Sequence, residues 1–341
     1  MIRLLLVDDS PLVRAVLRDI FAAAPDMRVV GEAADGADGV RLAKNLTPSL
    51  IVMDILMPIM DGLSAIEEIM SSQPVPILVL SATVDEREVK QAFNAIRLGA
   101  LDVMEKPNGE ALGDASFAER LLEKVRLLSR IRVIHHPRRR AMETSAQPPR
   151  LLPSARRTVL AIGASTGGPK AVMSILKELP ATFPASILVV QHIAKGFTDG
   201  FAQWLDRECS LPVRLAAEGL TCGQGEVLIA PDDRHMVLNG GSIHLLDTEP
   251  INCCRPAIDT LFSSIARQCG PETVAVLLTG MGKDGAIGMK EIHSNGGLTI
   301  AQNEESCAVF GMPKAAVSLG AVDEILPLID IATYLHRAFT I

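Results

Sequence analysis

Apolar residues along this chain fall into short runs that alternate with longer amphipathic stretches. In the first half, five runs rich in large aliphatic residues predict strands: IRLLLV (2–7), RVVGEA (28–33), LIVMD (50–54), PILVLS (76–81) and LDVMEK (101–106). The segments between them carry apolar residues at helical spacing. Near-continuous hydrophobicity in the strands is typical of a parallel sheet that helices cover on both faces. The first half therefore predicts a doubly wound, flavodoxin-like α/β domain.

The second half shows the same alternation and predicts a second doubly wound, mostly parallel α/β domain. Its candidate strands are TVLAIG, SILVVQ, EVLIA, SIHLL, VAVLLTG, GLTIAQ and AVDEIL, with some hairpin-like strands between about 213 and 246. Helices are predicted at 169–179, 197–208, 256–268, 285–294, 312–318 and 329–339. Between the halves, Pro, Ser and Arg replace large apolar residues, which is typical of a linker. We predict one domain over 1–125, a linker over 126–156 and a second domain over 157–341.

Composition and charge narrow the possible function classes. A formal net charge of −7 gives the whole molecule no attraction to nucleic acid or to an anionic membrane. Aromatic residues make up only 3%, which argues against stacking platforms for single-stranded nucleic acid. No run approaches the roughly 20 apolar residues that span a bilayer, and the first residues do not form a signal peptide. The six cysteines form no C-x-x-C motif and are typical of reduced thiols, so we expect a cytoplasmic protein.

Three carboxylates of the first half follow predicted parallel strands. Asp8 and Asp9 come after the first strand and Asp54 ends the third, so all three can meet at one edge of the sheet. Like charges packed together need a cation, and an oxygen-rich site of this kind suits Mg²⁺. Ser81 closes the fourth strand and Lys106 follows the fifth, where a hydroxyl and an ammonium could hold a phosphoryl group on Asp54. Taken alone, an Asp at the end of a strand is more often a helix cap, so the prediction depends on the set.

A serine stands where a strand of the second half is predicted to become a helix. Residues 163–167 read G-A-S-T-G, and flanking glycines permit a sharp turn that exposes the oxygen of Ser165 above the sheet. A dinucleotide-binding loop would need G-x-G-x-x-G and an acidic residue after the next strand, where this chain has Gln191 and His192. A merely structural turn remains open at this point.

A serine nucleophile needs a base and an acid that orients the base. His192 directly follows the strand after the serine's own, so both residues can meet at one sheet edge. His235 in a loop and His244 within a probable strand are weaker candidates for the base. Asp284 lies in a glycine-rich loop after another buried strand and is the favoured acid. Its rivals are Asp232, Asp233 and Asp259.

Two sets of motifs resemble known families. The ordered set Asp8-Asp9, Asp54-x-x-Met57-Pro58, Ser81-Ala82 and Lys106-Pro107 resembles the receiver domain of response regulators. The segments IGASTGGP, QHIAKGFTDGFA, IAPDDRHM, RPAIDTLF, LLTGMGKDGAIG and TIAQNEESCAVFGMPKAA together resemble the chemotaxis receptor methylesterase family, CheB. The order of the two domains is the same in that family.

For the first half, the resemblance implies two-component signalling in which a histidine kinase serves as phosphodonor to Asp54. The implied Mg²⁺ ligands are Asp8, Asp9, Asp54 and the carbonyl of Leu56. Ser81 and Lys106 would support the phosphoryl group. Val103 departs from the family pattern, because many receivers carry a switching aromatic residue at this position.

For the second half, the resemblance implies a cofactor-free serine hydrolase acting on the cytoplasmic domains of methylated chemoreceptors. It would hydrolyse glutamate γ-methyl esters to glutamate and methanol, and the same chemistry permits deamidation of receptor glutamines. The implied nucleophile, base and orienting acid are Ser165, His192 and Asp284, with oxyanion donors at the amides of Thr166 and Met281. A DNA-binding response regulator and a non-catalytic receptor scaffold are the alternatives from other function classes.

Overall fold

The computed structural model of this protein describes residues 1–81, 86–106, 115–131 and 157–340. Ala82 and Pro107 of the receiver-like motifs lie outside the described residues, as does most of the expected linker. The first sheet consists of β1 (Ile2–Val7), β2 (Met27–Ala33), β3 (Leu50–Asp54), β4 (Ile77–Ser81) and β5 (Asp102–Glu105). The helices packed on it are α1 (Pro11–Ala22), α2 (Gly36–Leu46), α3 (Gly62–Ser72), α4 (Glu86–Leu98) and α5 (Ala115–Leu128).

The first sheet is wholly parallel, in the order β2-β1-β3-β4-β5. This confirms the flavodoxin-like prediction. The connections that leave β1 and β3 run to opposite faces of the sheet. Ligand sites of such folds lie in the crevice between the carboxyl ends of these two strands. Ser10, Asp35 and Asp61 each accept a hydrogen bond from a backbone N–H of the following helix, which fixes where α1, α2 and α3 begin. Helix α5 continues past the predicted domain limit at 125.

The second domain contains a larger sheet and a separate hairpin. The strands are β6 (Val159–Ala164), β7 (Ser186–Gln191), β8 (Val213–Leu215), β9 (Val227–Ile229), β10 (His235–Asn239), β11 (Ser242–Leu246), β12 (Thr273–Leu277), β13 (Leu298–Gln302) and β14 (Glu324–Leu326). The sheet order is β14-β13-β12-β6-β7-β9-β8, and every pair in it is parallel. Strand β6 has β7 on one side and β12 on the other, so the direction of winding changes at β6 and places a crevice at its carboxyl end.

The expectation of hairpin-like strands between 213 and 246 is correct for one pair only. Strands β10 and β11 form an antiparallel hairpin through Gly240 and Gly241, whose φ angles of 61° and 80° suit a two-residue turn. Strand β8 instead lies parallel to β9, with Val213 beside Val227. The loop between β8 and β9 carries the chain back to the same end of the sheet, and both valines thereby reach the core.

The helices of the second domain lie close to the predicted positions. They are α6 (Gly168–Leu176), α7 (Thr198–Glu208), α8 (Ile258–Cys269), α9 (Ala286–Ser294), α10 (Met312–Ser318) and α11 (Leu328–Thr340). Alternate residues of β6 enter two different apolar clusters: Leu160 and Ile162 enter one, and Val159 and Ala161 enter the other. The central strand is therefore buried on both faces, as its unbroken hydrophobicity predicts.

Helices α4 and α7 join the two domains. The ring of Phe93 on α4 stacks on Trp204 with centroids 5.5 Å apart and lies 5.6 Å from the ring of Phe201. A Cβ at Gly200 would lie 2.1 Å from Cγ1 of Val89, so the helix backbones can approach this closely only because α7 has a glycine there. A single apolar cluster runs from one domain into the other at this contact. Among the described residues, no helix has the length and apolarity to cross a bilayer.

Candidate functional site

The acidic residues of the first domain meet at the carboxyl edge of its sheet. Nζ of Lys106 lies 2.9 Å from Oδ2 of Asp8 and 2.8 Å from Oδ2 of Asp54. One carboxylate oxygen from each of Asp8, Asp9 and Asp54 lies within 4.8 Å of the others. The structure thus brings together the carboxylates and the lysine that the sequence places at three different strand ends.

Burial dominates the electrostatics of this cluster. It raises the pKa of Asp54, as does the nearby charge of Asp8, while the hydrogen bond from Lys106 works in the opposite direction. Burial alone would lower the pKa of Lys106, but contacts with Asp54 and Asp8 outweigh it and raise that pKa. Lys106 therefore remains cationic and offsets the repulsion between the two carboxylates.

A cavity of about 130 Å³ opens beside this cluster. Both predicted support positions, Ser81 and Lys106, line it together with three of the four predicted ligand positions, Asp9, Asp54 and Leu56. Helix α4 contributes Glu88 and Gln91 to the same wall. The helix that contacts the second domain through Val89 and Phe93 therefore also borders the cavity at Asp54.

The second domain presents Ser165 and His192 side by side at the crevice of its sheet. Ala164 pairs with Gln191 in the register of β6 and β7, so the next residue of each strand leaves the sheet at the same level. His192 N–H donates to the Ala164 carbonyl at 2.9 Å, and the Gln191 side-chain amide donates to the Ser165 carbonyl at 2.8 Å. Gln191, which the sequence offers only as an argument against a dinucleotide loop, thus holds the serine turn against β7.

Glycines make the serine turn possible. A Cβ at Gly168 would lie 2.2 Å from Oε1 of Gln191, and Gly167 has a φ of 75°. Gly280, which follows β12, would place a Cβ 2.6 Å from Cβ of Ser165. The serine side chain is therefore packed against the backbone of the loop that leads to Asp284.

His192 and Asp284 form a direct contact. The imidazole Nε2 and Oδ2 of Asp284 are 2.9 Å apart, and both side chains are mostly buried. Asp284 also accepts hydrogen bonds from the backbone N–H groups of Ile258 and Asp259 at 2.7 and 3.1 Å. Burial would raise the pKa of Asp284, but the imidazole and these N–H groups at the start of α8 hold it below its usual value. Because the Asp284 carboxylate holds Nε2 of His192, Nδ1 is the imidazole nitrogen that can exchange protons.

The rival acids occupy other places. Asp232 accepts hydrogen bonds from Gly196 and Thr198 at the start of α7, and Asp233 pairs with Lys195. Asp259 lies behind Asp284, and burial together with that neighbouring charge raises its pKa to about 6.

The other candidate histidines are also occupied elsewhere. His235 is buried, where it accepts a hydrogen bond from the Ala257 N–H and contacts the Glu249 carbonyl. His244 contacts Glu218 at 2.7 Å. Neither imidazole has a hydrogen bond to the serine turn among the described residues.

Two residues that contact this site, Asn252 and Cys254, lie outside the sequence motifs that predict it. Nδ2 of Asn252 donates to Asp259 at 3.0 Å and to Asp284 at 3.2 Å. Sγ of Cys254 lies 3.7 Å from Nδ1 of His192. Both belong to the INCC segment, which directly precedes the RPAID motif at the start of α8. The position of that segment before a helix N-terminus is a signal that could have drawn attention to it.

The protonation of His192 reflects these contacts. Burial alone would lower its pKa, but the hydrogen bonds to Asp284 and Cys254, with their charges, raise the pKa to about 9. Among the described residues, the hydroxyl of Ser165 forms no hydrogen bond with His192. Such nucleophile–base contacts are often long in the absence of substrate.

Two backbone N–H groups lie in the loops that border this crevice. Thr166 lies in the serine turn and Met281 in the loop before Asp284. Within the described part of the chain, neither N–H group donates a hydrogen bond to another backbone group. The carbonyl of Thr166 accepts a hydrogen bond from the hydroxyl of Thr279, which fixes the peptide orientation of the turn. Two N–H groups are thus available near the serine to bind a developing negative charge.

Comparisons with known proteins match both halves of the chain. The response regulator receiver domain family matches residues 4–115, and the CheB methylesterase family matches residues 160–335. The protein-glutamate methylesterase/protein-glutamine glutaminase 2 of Anaeromyxobacter dehalogenans is 47% identical over 98% of this chain and 96% of its own length. A Myxococcus xanthus relative named protein-glutamate methylesterase/protein-glutamine glutaminase 4 is 43% identical over 99% of this chain and 97% of its own.

A solved structure agrees with the relatives. The crystal structure of the Thermotoga maritima CheB methylesterase catalytic domain is 40% identical, with a TM-score of 0.52, and covers 54% of this chain and 99% of that one. The curated relatives match over nearly the whole length of both chains, and the family models match the two domains in the same order in which the structure has them. This chain belongs to the CheB methylesterase family and carries a response regulator receiver domain ahead of the esterase domain.

Proposed function

We propose that the second domain hydrolyses glutamate γ-methyl esters on chemoreceptors through Ser165, His192 and Asp284. The contact between His192 and Asp284 beside the partly exposed Ser165 is the observation that carries this proposal. The esterase chemistry uses side chains and backbone N–H groups, and we propose no cofactor for it.

In the proposed reaction, Ser165 Oγ attacks the ester carbonyl and His192 takes the hydroxyl proton at Nδ1. Asp284 holds the opposite nitrogen and stabilises the imidazolium that forms. The N–H groups of Thr166 and Met281 bind the oxyanion. His192 returns its proton to the leaving methanol. It then takes a proton from a water molecule whose oxygen attacks the acyl carbonyl, and it gives that proton to Ser165 Oγ as glutamate leaves. A receptor glutamine would pass through the same acyl-enzyme with loss of ammonia, which is the basis for proposing deamidation as well.

The first domain is proposed to accept a phosphoryl group on Asp54 from a histidine kinase. Oxygen atoms of Asp8, Asp9 and Asp54 and the Leu56 carbonyl form a donor set of the kind that Mg²⁺ prefers, and the three carboxylates lie close enough to share one ion. Bound there, Mg²⁺ would neutralise charge on the transferring phosphoryl oxygens. Ser81 and Lys106 lie on the same cavity and would hold those oxygens after transfer.

Regulation is proposed to run through α4. This helix borders the cavity at Asp54 and packs its other face on α7 through Val89 and Phe93. Helix α7 begins six residues after His192, so in this proposal a change in the α4–α7 contact would reach the loop that carries the base. A phosphoryl group on Asp54 would favour the arrangement in which α4 releases α7.

The proposed domain limits are 1–125 for the receiver, 126–156 for the linker and 157–341 for the esterase. The receptor substrate and the kinase act in the cytoplasm, which is where we propose that this chain works.

The decisive measurement is methanol release from membranes that carry methylated receptors, with and without a small phosphodonor. Replacing Ser165 by Ala should lower the rate about 10⁶-fold, as loss of the nucleophile does in serine hydrolases, while Asp54 is still phosphorylated. Replacing Asp54 by Asn should retain the basal rate and remove the stimulation. Methanol release that survives in the Ser165→Ala chain would refute the assignment of the nucleophile.

A further inference from the structure

The thiol of Cys254 lies beside the nitrogen of His192 that takes the serine proton in the proposed esterase. Asp284 holds Nε2, so Nδ1 must accept the serine proton, yet Sγ of Cys254 is the side-chain group that contacts Nδ1. One atom from each of His192, Cys254 and Asp284 lies within 4.8 Å of the others. Thiol, imidazole and carboxylate thus form a second nucleophile–base–acid set that shares two members with the first.

The backbone holds Cys254 in this place. Ile251 and Cys254 exchange two backbone hydrogen bonds, at 3.1 and 2.9 Å, across a turn formed by Asn252 and Cys253. Both central residues have positive φ angles, 53° and 62°, which non-glycine residues rarely adopt. The Asn252 side chain fastens the turn to Asp284. A strained turn that is tied to the acid presents the thiol to the base.

The contact places a proton acceptor beside the thiol, at 3.7 Å from Sγ to Nδ1. The imidazole can take the Sγ proton, and the resulting thiolate is the nucleophilic form of cysteine. In the neutral thiol, Sγ can also donate to the Asn252 carbonyl at 3.4 Å. Cys254 is partly exposed, so a small reagent can reach it.

Among the described residues, none of the other five cysteines has a hydrogen bond with a histidine. Burial raises the pKa of the Cys209, Cys222 and Cys307 thiols to about 12, 11 and 12 and also raises that of Cys269, which keeps all four protonated and unreactive. Cys253 is exposed, and no hydrogen bond joins it to His192 among the described residues. It therefore serves as a neighbouring control.

We propose that Cys254 is a peroxide-sensitive modification site whose oxidation to the sulfenic acid switches off the esterase. The thiolate attacks one oxygen of the peroxide and the O–O bond breaks. Sulfur loses two electrons, and the hydroxide that leaves takes the proton from His192 and departs as water. The added oxygen lies between the sulfur and Nδ1, so the imidazole is no longer open to the serine. A thiol reductant reverses the change.

The inhibition rests on the proposed esterase function, whereas the oxidation does not. The full chain is exposed to a few equivalents of hydrogen peroxide, trapped with dimedone and mapped by mass spectrometry. In parallel, methanol release is measured as a fraction of each variant's own untreated rate. We expect the adduct at Cys254 and about a hundredfold loss of rate, the lower end of what a general base contributes, with recovery after reduction.

Variants separate this site from general oxidative damage. Cys254→Ser should keep its own untreated rate after peroxide, whereas Cys253→Ser should lose activity as the unmodified sequence does. His192→Gln should slow adduct formation at Cys254, a readout that needs no esterase activity. An adduct at Cys253 instead of Cys254, or full activity in the chain oxidised at Cys254, would overturn the inference. If the untreated chain releases no methanol, the proposed function fails, and the adduct map still decides whether Cys254 is the reactive thiol.

Discussion

Replacing Gly200 by Ala tests whether the contact between the domains restrains the esterase. The added Cβ would lie 2.1 Å from Cγ1 and 3.3 Å from Cβ of Val89. Rotation of the valine side chain can move Cγ1 but not Cβ, and the side chain of a β-branched residue in a helix has one strongly preferred rotamer. Helix α7 must therefore move away from α4, or both helices must shift.

The expected size of the effect follows from that overlap. Forcing one extra methyl group into a packed contact costs about 1–3 kcal/mol. The cost falls only on the arrangement in which α4 and α7 are packed, so the equilibrium shifts toward separation by about 5- to 150-fold. We therefore expect the basal rate of methanol release to rise by up to this factor without phosphodonor, with the phosphorylated rate as its ceiling.

Two measurements follow this change in the same samples. Methanol release reports the esterase, and the fluorescence of Trp204, the single tryptophan of the chain, reports the contact itself because its ring stacks on Phe93. The matched control is Gly200→Ala combined with Val89→Ala, which removes the overlapping atom and should return both signals toward their original values.

Two results would contradict this reasoning. One is a Gly200→Ala chain that has altered Trp204 fluorescence and an unchanged basal rate, because the contact would then be irrelevant to the esterase. The other is a rise in basal rate that the second substitution fails to reverse.

Three further predictions concern the esterase site. The value of kcat/KM should rise about tenfold per pH unit from pH 7 toward the His192 pKa of about 9, because the base must lose its proton. Replacing Cys254 by Ser removes a contact that raises this pKa, so the midpoint of the same pH profile should move to lower pH. Asp284→Asn should lower kcat about 10⁴-fold, because an amide at this position favours the wrong tautomer of the His192 imidazole. The control Asp233→Asn changes an exposed ion pair with Lys195 and should not lower kcat in this way. Gly280→Ala, whose Cβ would lie 2.6 Å from that of the serine, should lower kcat about 10²-fold and leave receiver phosphorylation intact; equal losses in both assays would indicate misfolding instead.

Much of the fold could be predicted from local patterns. The five strands of the first sheet lie within one residue of the predicted ends, because strands buried on both faces must be apolar along their whole length. The sequence does not show where the short strand β8 lies in the sheet. Its three residues carry too little pattern to distinguish a hairpin partner from a parallel neighbour, and only its packing beside β9 decides.

The candidate residues Asp8, Asp54, Lys106, His192 and Asp284 could be chosen from the sequence because each ends a strand or lies in the loop after one. The carboxyl ends of parallel strands share one edge, so position along the chain predicts proximity in space. Cys254 and Asn252 could not be chosen in this way. They belong to a turn before α8, and nothing local indicates that this turn folds over His192.

By itself, the sequence determined two parallel α/β domains and the strand ends at which their polar residues gather, because these features depend on hydrophobic periodicity and chain order. The tertiary structure alone decided that α4 packs on α7 and that a thiol shares the imidazole of His192. Both contacts join segments far apart in the chain, and side-chain shape and packing select them after the strands and helices have formed.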